Sequence, residues 1–487
     1  MPRYPDAVSA HLRDPVGVGP LLTPDAVGES GSAHCGDLVR MELRISGGYV
    51  REAAFLAFGC PAVMGAASAA CARLRGASLL DAMRISIADI DTDLGGLSDE
   101  HRHGPDLVVD ALARALEQWY STRLGTQGLP RLGHRVAVAM SGGVDSAVAA
   151  MLLVREGYDV VGVTMRLWHD PLAAAAERSC CSPETVRLAR ASAHHLGIPH
   201  LTLDVAETFR REVVEAFIRG YQAGETPNPC VTCNGSVRFR VLDQAAALLG
   251  ARRLASGHYV QVDGGVLARA TDTAKDQSYM LANLPRDLAG RLEFPLGQLT
   301  KDAVRALAAD AVLPCAASVE SQDVCFVGEG GYVPFLERHG GLQDRPGPIR
   351  DLSGNDIGVH QGYWRYTVGQ RKGLRVDGSD ARYVLSVSAA DNTVVVGARD
   401  DLATRTLRLS PASIFAPLID GDLEVRVRYR GPSLRGVAVE EPGGGLRVAL
   451  TDPADGVATG QTAALYHNDR LVAAGTITAP HNPEREG

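Results

Sequence analysis

The octapeptide Ala139-Met140-Ser141-Gly142-Gly143-Val144-Asp145-Ser146 constrains this chain more than any other segment. A short apolar run, RVAVAM, leads into it, and an apolar helical pattern, AVAAMLLVREG, follows. A buried strand, a glycine loop and a helix in that order open a parallel α/β sheet. Small residues in the loop let backbone N–H groups approach an anion, and the helix N-terminus adds orphan donors and partial positive charge. Ser141 and Ser146 offer hydroxyls. Asp145 is the odd member, because a carboxylate beside phosphates makes sense mainly with Mg2+ present. The GxxxxGK[ST] spacing of a Walker loop is missing. The bland alternative is a glycine turn with Asp145 as a helix cap. The full string after a buried strand favours phosphate.

The same rhythm continues downstream. DVVGVTMRL, HLTLDV and RRLASGHYV read as further strands, separated by helical patterns such as PETVRLARASAHHLG and AETFRREVVEAFIRGYQAG. Residues 134–339 are therefore expected to form an α/β, Rossmann-like parallel-sheet domain. Residues 1–120 carry a hairpin signal at Gly47-Gly48 and then helical patterns, a small α+β unit. Residues 121–133 read as a linker. From about 340 the pattern turns to short strands with frequent Gly, Pro and Asp. It predicts a small central domain over 340–403, an antiparallel β-barrel over 404–480 and a frayed tail at 481–487. A multidomain chain suits 487 residues.

Charge and cysteine usage narrow the function classes. A net charge of −8 excludes a uniformly basic nucleic-acid coat but leaves room for local basic patches. No apolar run reaches the ~18 residues of a membrane span, and the N-terminus lacks a signal-peptide core. A cytoplasmic protein with no membrane partner is expected. Nine cysteines without an export signal point to metal or sulfur chemistry over a disulfide framework.

Cys230 and Cys233 stand in TPNPCVTCN, where Asn-Pro predicts a turn and both thiols are expected on a loop leading into a helix. A helix N-terminus there would favour the nucleophilic thiolate. Cys325 follows in ESQDVCFVGEG. By itself C-x-x-C also fits a structural metal clip or buried apolar cysteines. The adjacent Cys180 and Cys181 fit a sulfur relay, a ligand or an incidental pair. Cys71 and Cys315 lie in apolar contexts and are expected in the core.

The loop resembles the PP-loop of the ATP pyrophosphatase superfamily, whose members cleave ATP to AMP and pyrophosphate and activate a carbonyl oxygen as an adenylate. The strings TPNPCVTCN, SGHYV, AKDQSYML, FPLGQLTK, SQDVCF, GQRKGL and RVRYR follow in one order. Together they resemble the tRNA-specific 2-thiouridylases of the MnmA/TRMU type from about residue 134 to 480. The resemblance implies that ATP is held by residues 139–146 with Met165 and Gly257. It implies Cys233 as nucleophile and Cys325 as persulfide carrier, a pair able to close a disulfide. The target base is expected at Asn228, Pro229 and Cys230. Contacts to tRNA are implied for His258, Lys275, Asp276, Gln277, Arg428, Tyr429 and Gln461. The implied partners are tRNA and a cysteine desulfurase or other sulfur donor.

One position departs from the commonest pattern of that family, which has Asp where this chain has Cys230. Thiols at 230, 233 and 325 can hold a [4Fe–4S] cluster by three irons, leaving the fourth to bind hydrosulfide. This favours the cluster over the persulfide as sulfur carrier. At the RNA end, period-two alternation predicts Arg426, Arg428 and Arg430 on one strand face. Arg371 and Lys372 are expected on a Gly-flanked loop. Tyr363, Trp364 and Tyr366 are read first as packing and second as stacking platforms.

Residues 1–120 resemble IscU/NifU-type iron–sulfur scaffolds through HLRDPVGVG, Cys35-Gly36-Asp37 and Gly59-Cys60-Pro61-Ala62. The third cysteine position of that family falls on Gly104, next to His103. The domain is thus either an Fe–S or zinc site of Cys35, Asp37, Cys60 and His103, or a degenerate unit retained to dock a desulfurase. Two rival functions compete with tRNA thiolation. One is a PP-loop ligase for a small molecule; the other is an iron–sulfur assembly or interaction protein with a silent ATPase unit.

Overall fold

The structure is a computed structural model and describes residues 4–32, 36–170, 182–318, 324–328, 330–374, 376, 381–418 and 421–481. Cys35, Cys180, Cys181 and the tail 482–487 lie outside the described residues. None of the described helices is long and apolar enough to cross a membrane.

The N-terminal unit pairs strands β1 (Ala26–Gly31), β2 (Leu38–Ser46) and β3 (Tyr49–Phe58) in an antiparallel sheet of that order. The turn Gly47-Gly48 joins β2 to β3, as its sequence predicts. Helix α1 (Asp6–Arg13) precedes the sheet, and α2 (Pro61–Leu74), α3 (Leu79–Ala82), α4 (Ile87–Asp93) and α5 (His103–Ser121) follow. Alanines dominate the contact face of α2, so it packs closely against the sheet and α5.

The second unit is a five-stranded parallel sheet. Its strands are β4 (Leu132–Ala139), β5 (Asp159–Arg166), β6 (His200–Asp204), β7 (Ala251–Ser256) and, beyond a short hairpin β8 (Gln261–Asp263)–β9 (Val266–Ala268), β10 (Leu292–Glu293). The order is β10-β7-β4-β5-β6. Val136, Ala137 and Val138 are fully buried, which is why RVAVAM reads as a continuous apolar run. Helices α6 (Val144–Arg155) and α7 (Pro183–His195) cover one face. α8 (Ala206–Phe209) and α9 (Glu215–Gln222), joined by a π-helical turn, then α10 (Pro229–Thr232) and α11 (Phe239–Leu249) share a core with the other face. Helices α12 (Lys301–Asp310) and α13 (Tyr332–Gly340) complete the unit.

The N-terminal unit is docked on this sheet. Helix α5 packs against β6, and Val108 and Leu112 share one continuous core with Val161, Leu201 and Leu203. A buried ion pair, Arg190–Asp110 at 2.9 Å, crosses the junction. The Ser121 hydroxyl accepts the Asp204 N–H at 3.0 Å, and Glu117 pairs with Arg166 at 2.8 Å. Both Arg166 and Asp204 end their strands, so the C-terminal end of α5 lies at the sheet edge that carries the phosphate loop. The residues after α5 are pinned too: a Cβ on Gly128 would lie 1.9 Å from the Ala247 carbonyl of α11.

Two β units follow. β11 (Gly347–Arg350), β12 (Asp356–His360), β13 (Tyr383–Ser388) and β14 (Thr393–Gly397) form a four-stranded sheet. β15 (Ala403–Ile414), β16 (Leu423–Arg426), β17 (Leu434–Glu441), β18 (Gly445–Asp455), β19 (Thr462–His467) and β20 (Arg470–His481) close into an antiparallel barrel, because β15 pairs with both β18 and β20. Closure leaves this unit no open edge between those strands. Residues Tyr363, Trp364 and Tyr366 are buried, so packing is their role and they offer no stacking platform.

Candidate active site

The loop between β4 and α6 is built as an anion cradle. Gly142 has φ +79°, and a Cβ there would lie 2.3 Å from the Thr185 carbonyl, so only glycine fits beneath the first turn of α7. The Ser146 hydroxyl accepts the Ser141 N–H at 3.1 Å and donates to the Gly143 carbonyl at 3.0 Å, which fixes the loop's curvature. Val144, Asp145 and Ser146 form the first turn of α6, whose N–H groups have no intrahelical acceptor. Gly257 closes the wall: a Cβ on it would meet Asp145 C and Ser146 N at 2.6 Å. Met140 donates its N–H to Val163 and its carbonyl accepts from Thr164, tying the loop to β5, which also carries Met165. Ala139 ends β4 directly before the loop. Ser141 is exposed at the mouth. The set fits a triphosphate with a divalent cation, since hydroxyl and carboxylate oxygens are the donors Mg2+ takes.

Asp145 has partners that sequence patterning missed. Lys301 Nζ lies 2.7 and 2.8 Å from its two carboxylate oxygens, and the Tyr259 hydroxyl donates to Oδ1 at 2.9 Å. Lys301 and Tyr259 are both buried. The available signal was a lysine closing the apolar string FPLGQLTK, directly after the helix cap Thr300.

The thiols sit on a helix rather than on a loop before one. Asn228 caps α10 through Val231 N, and Pro229 occupies the first helical position, where it needs no N–H acceptor. The run continues as a π-helical turn, Cys233–Arg238, into α11. Such turns favour functional positions. Cys230 is exposed and Cys233 is 6% exposed. Cys325 is half-buried; its neighbour Phe326 is packed among Phe209, Phe217 and Phe335. Phe209 belongs to α8, which also packs on the Cys233–Arg238 turn, so the segments that carry Cys233 and Cys325 meet the same helix. Cys71 and Cys315 are buried in the core, as expected. Burial pushes the Cys71 thiol up to about 12.

The barrel holds the thiol segment from the other side. Thr226 N–H donates to the Thr459 carbonyl at 2.8 Å, and Gln461 Nε2 donates to the Thr226 carbonyl at 2.9 Å. The Tyr279 hydroxyl donates to the Thr462 carbonyl at 2.7 Å. The residues implied in tRNA contact gather at this junction. Burial raises the Tyr429 hydroxyl, and Arg430, Asp276 and Lys275 are close enough to act on it. Asp276 itself is buried and accepts from Ala270 N, Ser278 N and Ser278 Oγ. Gln277 is tied to Tyr259 through both its backbone and its side chain. His258 is pushed down to about 3 by burial, with Arg238 adding to it, so it is neutral near pH 7. The expectation of three arginines on one strand face fails. β16 ends at Arg426, and the chain turns at Arg428, whose guanidinium donates to the Gly456 carbonyl. Arg371 and Lys372 are exposed on their loop.

A second cluster lies in the N-terminal unit. Among the described residues, one group brings three ligand atoms within 4.8 Å of one another: Asp37, Cys60 and His103. His103 Nε2 stands 2.8 Å from Asp37 Oδ2 and 3.4 Å from Cys60 Sγ, while Nδ1 faces the Glu100 carbonyl at 2.8 Å. An imidazole oriented from behind by a carbonyl is the usual arrangement of a metal-binding histidine. Burial raises the Cys60 pKa, so the thiol binds a metal by losing a proton. At Gly104 a Cβ would lie 2.9 Å from Ala62 C and O. A cysteine side chain there would meet backbone, and the neighbouring imidazole is the group that stands with Asp37 and Cys60. His103 begins α5, so about 27 Å of helix separates this group from Ser121 at the loop-bearing edge.

Four family models match the chain in order. They are a NifU-like N terminal domain over residues 3–125, a tRNA methyl transferase HUP domain over 134–329, a tRNA methyl transferase PRC-barrel domain over 334–398 and an aminomethyltransferase beta-barrel domain over 404–477. The bifunctional protein NifU/MnmA of Rubrobacter xylanophilus is 43% identical over 98% of this chain and 98% of its own length. The tRNA-specific 2-thiouridylase MnmA of Methylobacterium radiotolerans is 44% identical over 72% of this chain and 95% of its own. The N-terminal part of a nitrogen-fixing NifU-like protein from Brucella abortus matches at 21% identity and TM-score 0.21, covering 23% of this chain and 91% of that one.

Proposed function

The chain belongs to the MnmA family of tRNA-specific 2-thiouridylases, in the form that carries a fused NifU-like domain, and we propose the following assignment of its residues. It is an ATP-dependent tRNA-thiolating enzyme, which sets aside the small-molecule ligase and the silent ATPase. The observation that carries the assignment is the cradle at 139–146 together with a buried thiol, Cys233, on a helix clamped between the α/β sheet and the barrel.

ATP binds with its phosphates on the N–H groups of 142–146, and Met165 and Gly257 line the nucleotide. Bound Mg2+ would take oxygen from Asp145 and the serine hydroxyls and offset phosphate charge. The wobble uridine enters at Asn228, Pro229 and Cys230. Its O2 attacks the α-phosphorus and pyrophosphate leaves. The terminal sulfur of a Cys325 persulfide then bonds to C2 and AMP departs with the old oxygen. The Cys233 thiolate attacks Cys325 Sγ, which breaks the S–S bond, leaves the outer sulfur on the base and closes a disulfide. Burial of Cys233 beside exposed Cys230 supports this persulfide relay over a cluster shared by all three thiols. Lys275, Gln277, Arg428, Tyr429 and Gln461 position the anticodon arm, and neutral His258 lines the base pocket. A cysteine desulfurase is the proposed donor, and the cytoplasm the proposed compartment. In the NifU-like domain Asp37, Cys60 and His103 take iron or zinc.

The test is nucleoside mass spectrometry of tRNA treated with ATP and a persulfide donor, alongside iron and acid-labile sulfide analysis of anaerobically purified protein. Thiolation by protein whose 230–325 region holds no iron supports the relay. Thiolation strictly tied to iron bound by Cys230, Cys233 and Cys325 replaces it with the cluster.

A further inference from the structure

We infer that Lys301 is a catalytic residue of uridine adenylation, resting on Asp145 when no nucleotide is bound and moving to the ATP phosphates when they arrive. This rests on reading 139–146 as the ATP site. Two features set Lys301 apart from an ordinary structural ion pair. It is the first residue of α12, where the helix dipole disfavours a cation. It is 8% exposed, and burying a cation costs solvation that a half-exposed carboxylate only partly returns. A residue that breaks two local rules without gain in stability points to function.

The geometry suits an exchange. The Lys301 backbone is anchored apart from its ammonium: its N–H donates to Asp272 Oδ2 at 3.0 Å, and Thr300 caps the helix through Ala303 N. The side chain can therefore move while α12 stays. Tyr259 holds Asp145 Oδ1 at 2.9 Å and keeps the carboxylate aimed after the lysine leaves. Asp145 and Ser146 belong to the same turn whose N–H groups form the cradle, so the ammonium has a short path to a phosphate oxygen. Before ATP binds, the pair leaves the loop electrically neutral. Afterwards Asp145 would be released to hold a divalent cation, and the ammonium meets the pyrophosphate side of the triphosphate. As uridine O2 bonds to the α-phosphorus, the bond to the bridging oxygen breaks and its electron pair departs on pyrophosphate. Lys301 stabilises that charge and exchanges no proton.

The experiment uses the full chain with tRNA and follows AMP formation in single turnover, ATP affinity by equilibrium binding, and melting temperature. Lys301→Met keeps the packing, and Lys301→Arg keeps the charge. Lys301→Met is expected to slow AMP formation about 100-fold or more, the scale of one lost transition-state donor, while ATP affinity falls far less. Lys301→Arg is expected to recover about tenfold of that loss. AMP formation at the wild-type rate in Lys301→Met overturns the inference. So does joint loss of rate, ATP affinity and melting temperature in both variants, which marks a structural pair. If the wild-type chain forms no AMP with tRNA, the ATP-site reading itself fails.

Discussion

The two thiol centres of this molecule are built in opposite ways. Cys60 stands at the open start of α2 with a carboxylate and an imidazole already within ligand distance. Cys233 is buried in a π-helical turn, with the barrel clamping the segment before it. A thiol meant for a metal gains from preassembled partners, and a thiol meant to open a persulfide gains from exclusion of water and stray metal. They also lie apart along the fold. α5 places Cys60 at one end and the loop-bearing edge of the sheet at the other, and the docking of α5 on β6 is a built interface. The N-terminal domain is thus held in place rather than swinging on its linker, so proximity within one chain does not by itself bring Cys60 to Cys233.

The sharpest break of this comparison uses single substitutions at the two thiols with a supplied persulfide donor. Cys233→Ala is expected to cost about three orders of magnitude or more in 2-thiouridine formation while leaving tRNA-dependent AMP formation within a few-fold. Cys60→Ala is expected to change thiolation by less than about threefold and to lower bound iron or zinc. Equal losses of thiolation from the two would mean that Cys60 feeds Cys233 directly and that α5 undocks.

Docking is tested next. Asp110 is buried, which alone would raise its pKa, but Arg190 and Arg114 outweigh that and hold it below the usual range. Arg190→Met leaves Asp110 with Arg114 and the Ser30 hydroxyl and removes its bond across the junction, which is expected to cost about 2 kcal/mol, read as an earlier unfolding step of the N-terminal domain. Acid should act on the same interface. His194 donates toward the Met83 carbonyl at 3.1 Å, and burial pushes its pKa down to about 4. A depressed folded pKa contributes stability that is present above the ordinary 6.5 and lost as pH falls toward 4. Domain-resolved melting between those values checks the sign; stability rising on acidification would be inconsistent with it.

Much of this was legible in the sequence where one residue type has one physical use. The cradle follows from glycines after a buried strand, and the β2–β3 hairpin from Gly47-Gly48 between alternating runs. What escaped were pairings between distant segments. Nothing local announces that Lys301 meets Asp145, or that Arg190 meets Asp110, because each pairing is set by how helices stack. The RVRYR alternation misled for a related reason: a strand pattern persisted past the residue where Arg428 found a carbonyl and the chain turned. The thiols were expected before the helix and lie in it, because Asn228 caps and Pro229 starts the helix earlier than Asn-Pro suggests.

The metal side of the comparison has its own dependence on pH. Burial raises the Cys60 pKa above its ordinary 9, so metal binding displaces a proton across the neutral range. Zinc affinity of the full chain with Cys233 and Cys325 replaced by serine is expected to rise about tenfold per pH unit between pH 6.5 and 8.5, one proton per site. A flat profile would mean the thiol is not a ligand.

The smallest effect concerns Gly104, where the scaffold relatives suggest a third cysteine and this structure suggests a steric reason for its absence. A Cβ at that position faces the Ala62 carbonyl group and Val63 N at 2.9–3.1 Å, all backbone atoms that cannot rotate away. Gly104→Ala is therefore expected to cost about 1 kcal/mol, despite the better helix propensity of alanine, because α5 must back away from α2. Its consequence for the ligand group is larger than its cost. His103 precedes Gly104 on the same turn, so a shift of α5 moves Nε2 off the 2.8 Å contact with Asp37. Zinc affinity should fall in Gly104→Ala even though no ligand is altered, and His103→Ala should lower it further. If Gly104→Ala binds zinc as the parent does, the close helix contact is incidental, and the imidazole owes its position to the Glu100 carbonyl alone.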